Sequence, residues 1–154
     1  LRIGVSAAKG ICFPLNIPLI ALDTMHILAR KIECSEGYIV PAIDARRDEI
    51  YFAMFQSNNC KIPELKVKTD TMILSSDSFS NYYETSTVNF VGDCNKKIMQ
   101  YSHHENIFFS DYILPSANEM GVLSHSKYIK EQFVDVAEFQ PKYLKDFGGK
   151  KINY

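Results

Sequence analysis

Leu1-Arg2-Ile3-Gly4-Val5-Ser6-Ala7-Ala8-Lys9-Gly10 reads as a helix that carries apolar or small side chains nearly all the way round. A surface helix has a polar face, and one that lacks it must be covered on both sides. Leu1, Val5, Ala8, Cys12 and Leu15 recur at three-and-four spacing on one side. Ile3, Ala7 and Gly10 lay a narrow, small-residue strip on the other. A glycine inside a helix costs roughly 1 kcal/mol against alanine, so Gly10 is expected to serve close approach by another helix. The stretch also opens without Met and without a Ser, Thr, Asp or Asn cap for its first N–H groups, so an upstream segment is expected. Burial of five apolar side chains at about 1.5–3 kcal/mol each rivals the net stability of a whole domain. The strip therefore asks for a cover: upstream chain, a second copy or a different protein.

Working outward, Pro14 sets the expected helix end near Phe13 or Leu15, and Pro18–Leu22 reads as a short strand. Asp23 or Thr24 caps a second helix to about Lys31, with Met25, Leu28, Ala29 and Ile32 inward. Tyr38–Asp44 and Glu49–Phe55, joined by Ala45-Arg46-Arg47-Asp48, form a hairpin, and a third strand is expected within Lys61–Leu74. Short helices at Asp77–Tyr83 and Asn95–Tyr101 alternate with strands Val88–Val91 and Ile107–Phe109. A helix starting at Ser116 or Asn118 should turn Met120, Leu123, Tyr128 and Ile129 inward. Val136–Leu144 is expected to be extended, with Pro141 placing it at a sheet edge, ahead of a frayed tail over residues 148–154. This order is α/β, with a boundary near Gly37.

Length and composition narrow the function. The 154 residues suit one ordinary domain or two small lobes. Seventeen basic against eighteen acidic side chains leave no basic excess, so any RNA contact needs a partner's help. Cys12, Cys34, Cys60 and Cys94 form no CxxC pair, which points to reduced thiols in a cytoplasmic protein. The longest apolar stretch, residues 11–22, is broken by Pro14, Asn16 and Pro18 and is no membrane span.

Few residues carry chemistry. His103-His104-Glu105 converges poorly on one ion, because neighbouring side chains diverge on strand or helix alike. HExxH and HxxxH are both absent, which disfavours a peptidase. Ser6 and Ser124 have no recognisable His and Asp arrangement, and Cys12 lies in apolar surroundings that leave a thiol inert. Gly92-Asp93 follows a strand and precedes a helix, a place for weak nucleotide contact, but one glycine and one acid make a poor cradle. Arg46 and Arg47 stand between Asp44 and Asp48-Glu49. Local ion pairs are the first expectation for them, and contact with a partner lobe or RNA the second. Lys142, Lys145, Lys150 and Lys151 read as a solvated tail that could meet phosphate.

Four separated segments together resemble the TsaB (YeaZ) family of the bacterial tRNA threonylcarbamoyladenosine machinery. They are Leu1–Gly10, Asn16–Ile20, the Asp44-Ala45-Arg46-Arg47 hairpin within Ile43–Tyr51, and Gln140-Pro141-Lys142-Tyr143-Leu144-Lys145. The resemblance implies an actin-like (ASKHA, ribonuclease H-like) fold with a partial N-terminal lobe and a complete C-terminal lobe. Residues 1–36 would be the back half of the N-terminal lobe, 37–147 the C-terminal lobe and 148–154 a tail. It also implies a non-catalytic scaffold and activator that pairs with TsaD, the metal-bearing threonylcarbamoyltransferase, and works beside the ATPase subunit TsaE. Its tRNA would be reached through the complex, and the same helix surface can serve a homodimer. The paralogue's two histidine ligands would fall at Thr24 and Leu28, neither of which can bind a metal. His26, one turn out of place, then reads as a satisfied surface or core histidine. No cofactor, metal site or catalytic residue is expected, and the partner surface is assigned to Arg2, Ile3, Ser6, Ala7 and Gly10. The alternative is an actin-like ATPase or small-molecule kinase.

Overall fold

The computed structural model describes residues 1–59 and 62–144. Along the chain run α1 (Arg2–Leu15), α2 (Thr24–Ala29), β1 (Glu36–Asp44), β2 (Glu49–Asn58), β3 (Glu64–Ile73), α3 (Ser80–Tyr83), β4 (Val88–Val91), α4 (Asn95–Ile98), β5 (Ile107–Phe109) and α5 (Ala117–Ile129). Two compact units result, one of Leu1–Leu19 with the chain from Phe133 onward, the other of Ile20–Gln132.

The larger unit is organised by β1. Its residues alternate between two apolar clusters, Val40 and Ala42 entering one and Ile39 the other. β2 repeats the alternation with Ile50, Phe52 and Met54 against Ala53 and Phe55. Strands apolar on both faces belong in the middle of a sheet, and the order is β3-β2-β1-β4-β5. β1 pairs antiparallel with β2 and β2 with β3, whereas β4 and β5 continue from β1 in parallel. Phe79, Cys94 and Ile98 cover one face, and Met25, Leu28 and Ala29 of α2 the other. Asp23 caps α2 by accepting from the Met25 N–H at 2.7 Å.

The hairpin, β4, β5 and a third strand stand where the sequence places them. α1 ends at Leu15 with Pro14 inside its last turn. The stop is made by Asn16, left-handed at φ 50°, after which Ile17 N–H reaches back to the Cys12 carbonyl at 3.0 Å. Three expectations need correction. Pro18–Leu22 is no strand beyond a single bridge from Leu19 to Val134. Val136–Leu144 is not a sheet edge, because the Asp135 carboxylate captures the N–H groups of Ala137 and Glu138 at 2.7 and 2.8 Å and folds the chain into a turn. On α5 only Leu123 is buried, and Met120, Tyr128 and Ile129 are exposed. Polar contacts fix that helix instead: Lys31 with Glu119 at 3.3 Å and Lys127 with the Ala21 carbonyl at 2.7 Å. The expected tail at 148–154 lies outside the described residues, as do Cys60, Lys145, Lys150 and Lys151. Among the described residues no helix is long and apolar enough to cross a membrane.

Phe90 is fully buried in one cluster, and Ile3 on α1 is 87% exposed. Phe90→Ala should cost about 3–5 kcal/mol in denaturant unfolding, whereas Ile3→Ala should stay within about 0.5 kcal/mol of wild type.

Candidate partner surface

No side chain of α1 is buried. Val5, Ala8, Lys9 and Cys12 are partly covered, and the rest of the helix is exposed. Lys9 ties that face to the chain beyond Phe133, its ammonium donating to the carbonyls of Ala137 at 2.8 Å and Phe139 at 3.1 Å. The Arg2 guanidinium lies 5.2 Å from the centre of the Tyr143 ring. Between them opens a cleft of about 380 Å³, with Arg2 and Ser6 on one wall and Tyr143 on the other.

The remaining strip residues are Ile3, Ala7 and Gly10. All three are exposed, and a methyl group added at Gly10 would meet nothing within 4 Å. The cost of glycine in mid-helix is therefore not offset among the described residues. Leu1, Ile11, Phe13 and Leu15 add large exposed apolar side chains at 59–77% exposure. These exposed apolar side chains share one helix with the strip residues. The sequence missed Lys9 as the anchor of this helix. Its signal was a cation at i+4 from Val5, on the face that also carries Ala8 and Cys12.

The β1–β2 turn corrects the ion-pair expectation for Arg46 and Arg47. Asp44 pairs with Lys97 at 2.5 Å and accepts from the Arg46 backbone N–H at 2.7 Å. The hydrogen bond from Lys97 holds the Asp44 carboxyl below its ordinary value. Asp48 accepts from the Tyr101 hydroxyl at 2.7 Å. Neither arginine head forms an ion pair or hydrogen bond among the described residues. Both residues have positive φ, 73° and 51°, a region that costs a residue with a side chain roughly 1–2 kcal/mol.

Gly92-Asp93 is occupied by structure rather than by space for a nucleotide. Gly92 has φ +129°, and a Cβ there would lie 2.0 Å from the Ala42 carbonyl oxygen. The Asp93 carboxylate accepts from the Asp44 N–H at 2.9 Å. Burial, with Asp93 alongside, pushes the Cys94 thiol up to about 12, so it stays protonated. Leu28 is in the core and Thr24 exposed. Among the described residues no group of three His, Cys, Asp or Glu side chains could hold a metal ion. His103 and His104 are exposed, and His104 stacks on Tyr83.

With this geometry in hand, the comparisons give a class. The chain belongs to the family described as TsaD: tRNA N6-adenosine threonylcarbamoyltransferase, whose model it matches over residues 1–152. Within it the chain is similar to TsaB/YeaZ-type proteins. It is similar to the tRNA threonylcarbamoyladenosine biosynthesis protein TsaB of Haemophilus influenzae, 24% identical over 161 residues that cover 95% of this chain. The chain spans only 64% of that relative's length. TsaB of Bacillus subtilis is 32% identical over 73 residues, 47% of this chain and 32% of the relative. Among solved structures, YeaZ from Pseudomonas aeruginosa superposes with a TM-score of 0.76 at 21% identity, covering 93% of this chain and 66% of the other. A second Pseudomonas aeruginosa structure, of an uncharacterized protein with similarity to peptidase YEAZ, gives 0.78 at 20%, covering 94% and 67%. The fold is thus the actin-like one that the sequence resemblance implied.

His26 departs from expectation in a measurable way. Its ring packs 4.8 Å from Phe55, and its Nε2 is buried without a hydrogen-bond partner among the described residues. Burial lowers its pKa below the ordinary 6.5; Asp23 opposes that shift and Lys127 adds to it. The unfolded chain therefore takes up a proton near 6.5 that the folded chain refuses, so stability is complete above that value and falls as pH drops toward the folded pKa. Asp44 and Glu119 are lowered from 3.8 and 4.5, so their losses come at more acidic pH. Between about pH 7.5 and about pH 5.5 the thermal midpoint should fall for wild type and much less for His26→Phe.

Proposed function

We propose that this chain is a non-catalytic scaffold and activator in tRNA threonylcarbamoyladenosine biosynthesis that pairs through α1 with the TsaD subunit. In this reading residues 1–36 are the back half of an N-terminal lobe and 37–147 the C-terminal lobe. Arg2, Ile3, Ser6, Ala7 and Gly10 receive a helix of the partner, and the same surface serves a homodimer when the partner is absent. TsaE joins as the ATPase of the assembly, tRNA is reached through the complex, and the work is done in the cytoplasm.

The observation that carries the reading is α1 itself, a fourteen-residue helix with no buried side chain and a mid-helix glycine that nothing among the described residues requires. The names of the curated relatives supply the pathway. The small strip lets two helix backbones approach closely, and the flanking Ile3, Ile11 and Phe13 supply apolar area at about 25 cal/mol per Å² buried.

Ala7→Glu places a carboxylate where the partner's backbone should lie, and burying an unpaired charge costs several kcal/mol. In full-length protein mixed with TsaD, the variant should pair at least about a hundredfold more weakly on a sizing column. Its unfolding transition should remain that of wild type, because Ala7 is exposed. Unchanged pairing removes the interface, and threonylcarbamoyl transfer by the purified protein alone removes the scaffold role.

A further inference from the structure

The turn between β1 and β2 holds two features that pairing through α1 does not use. Arg46 and Arg47 both sit at positive φ, where glycine or asparagine rests more easily. Among the described residues their guanidinium groups form no ion pair, and three acids near them are engaged by other groups. Asp44 is held by Lys97 and by the Arg46 N–H, Asp48 by the Tyr101 hydroxyl, and Asp93 by the Asp44 N–H. Beyond that backbone N–H, the Arg46 side chain reaches Asp44 only through its field. Glycine would make the turn at lower cost, and what it would lack is the pair of forked cations. Strain kept at an exposed turn points to use of the side chains.

We propose that the Arg46–Arg47 turn is an RNA-backbone contact that grips neighbouring phosphates of the tRNA. This rests on the pathway assigned under Proposed function. The guanidinium fork matches phosphate oxygens, and successive phosphates of a strand offer anions to adjacent side chains. Lys97, the residue that engages Asp44, is the nearest cation the structure places at the turn, and it is already committed. With a net charge of −1 the chain has no basic field of its own. The contact therefore orients an RNA that the assembly already binds.

The test is tRNA binding by fluorescence anisotropy across a salt series, with the full-length protein alone and assembled with TsaD. The double variant Arg46→Gly with Arg47→Gly should raise the thermal midpoint and leave pairing on the sizing column unchanged. Its tRNA affinity in the assembly should drop about tenfold or more, and the salt slope should become shallower by about 1–2. Arg46→Lys with Arg47→Lys should keep most of the slope. Unchanged affinity and slope overturn the proposal, as does a wild-type assembly that does not bind tRNA. A lower thermal midpoint overturns it by assigning the arginines to the fold. Weaker pairing with intact RNA binding overturns it in favour of an acidic protein surface. Failure of the wild-type proteins to pair at all refutes the scaffold reading instead, and the sizing column reports that separately.

Discussion

Burial of β1 on both faces is the constraint on which the larger unit depends. Val40 and Ala42 look to one cluster and Ile39 to the other, so both sides of the sheet must carry a cover. α2 answers on one side with Met25, Leu28 and Ala29, and Phe79 with the α4 residue Ile98 answers on the other. The same constraint fixes the backbone at the carboxyl end of the strand. Gly92 must be glycine because β4 leaves the sheet against the Ala42 carbonyl, and the Asp93 side chain then closes onto the Asp44 N–H. What looks in sequence like the start of a nucleotide loop is thereby spent on joining β4 to β1.

α1 fails the test that the sheet passes. Its apolar side chains have no cover within their unit beyond the partial one near Lys9, and its glycines have space around them. The energy that Ile3, Phe13 and Leu15 offer on burial is of the size that holds protein interfaces together. The buried thiol of Cys94 is fixed in its protonated form, and the Asp44 carboxylate is spent on Lys97.

The hairpin, β4 and β5 were legible because each is a short apolar run with polar or turn residues at both ends. Elements whose fate depends on distant partners were less so. Leu19 meets Val134 in one bridge only, and no periodicity within Pro18–Leu22 reveals how little of that segment pairs. α5 was placed correctly, yet its inward face was misread, because an ion pair at Lys31 and a carbonyl bond at Lys127 hold it where apolar packing was expected. The strip of Ile3, Ala7 and Gly10 was readable as a face without a cover. The open heads of Arg46 and Arg47 were not, since the capture of Asp44 by Lys97 joins residues far apart in the chain.

Amide hydrogen exchange of the full-length protein, free and mixed with TsaD, addresses the central claim most directly. If α1 is the surface on which the partner's helix lies, its amides from residues 5–15 gain protection on mixing while those of β1, β2 and β4 stay as they were. Protection that appears elsewhere, with α1 exchanging as in the free protein, would contradict the account.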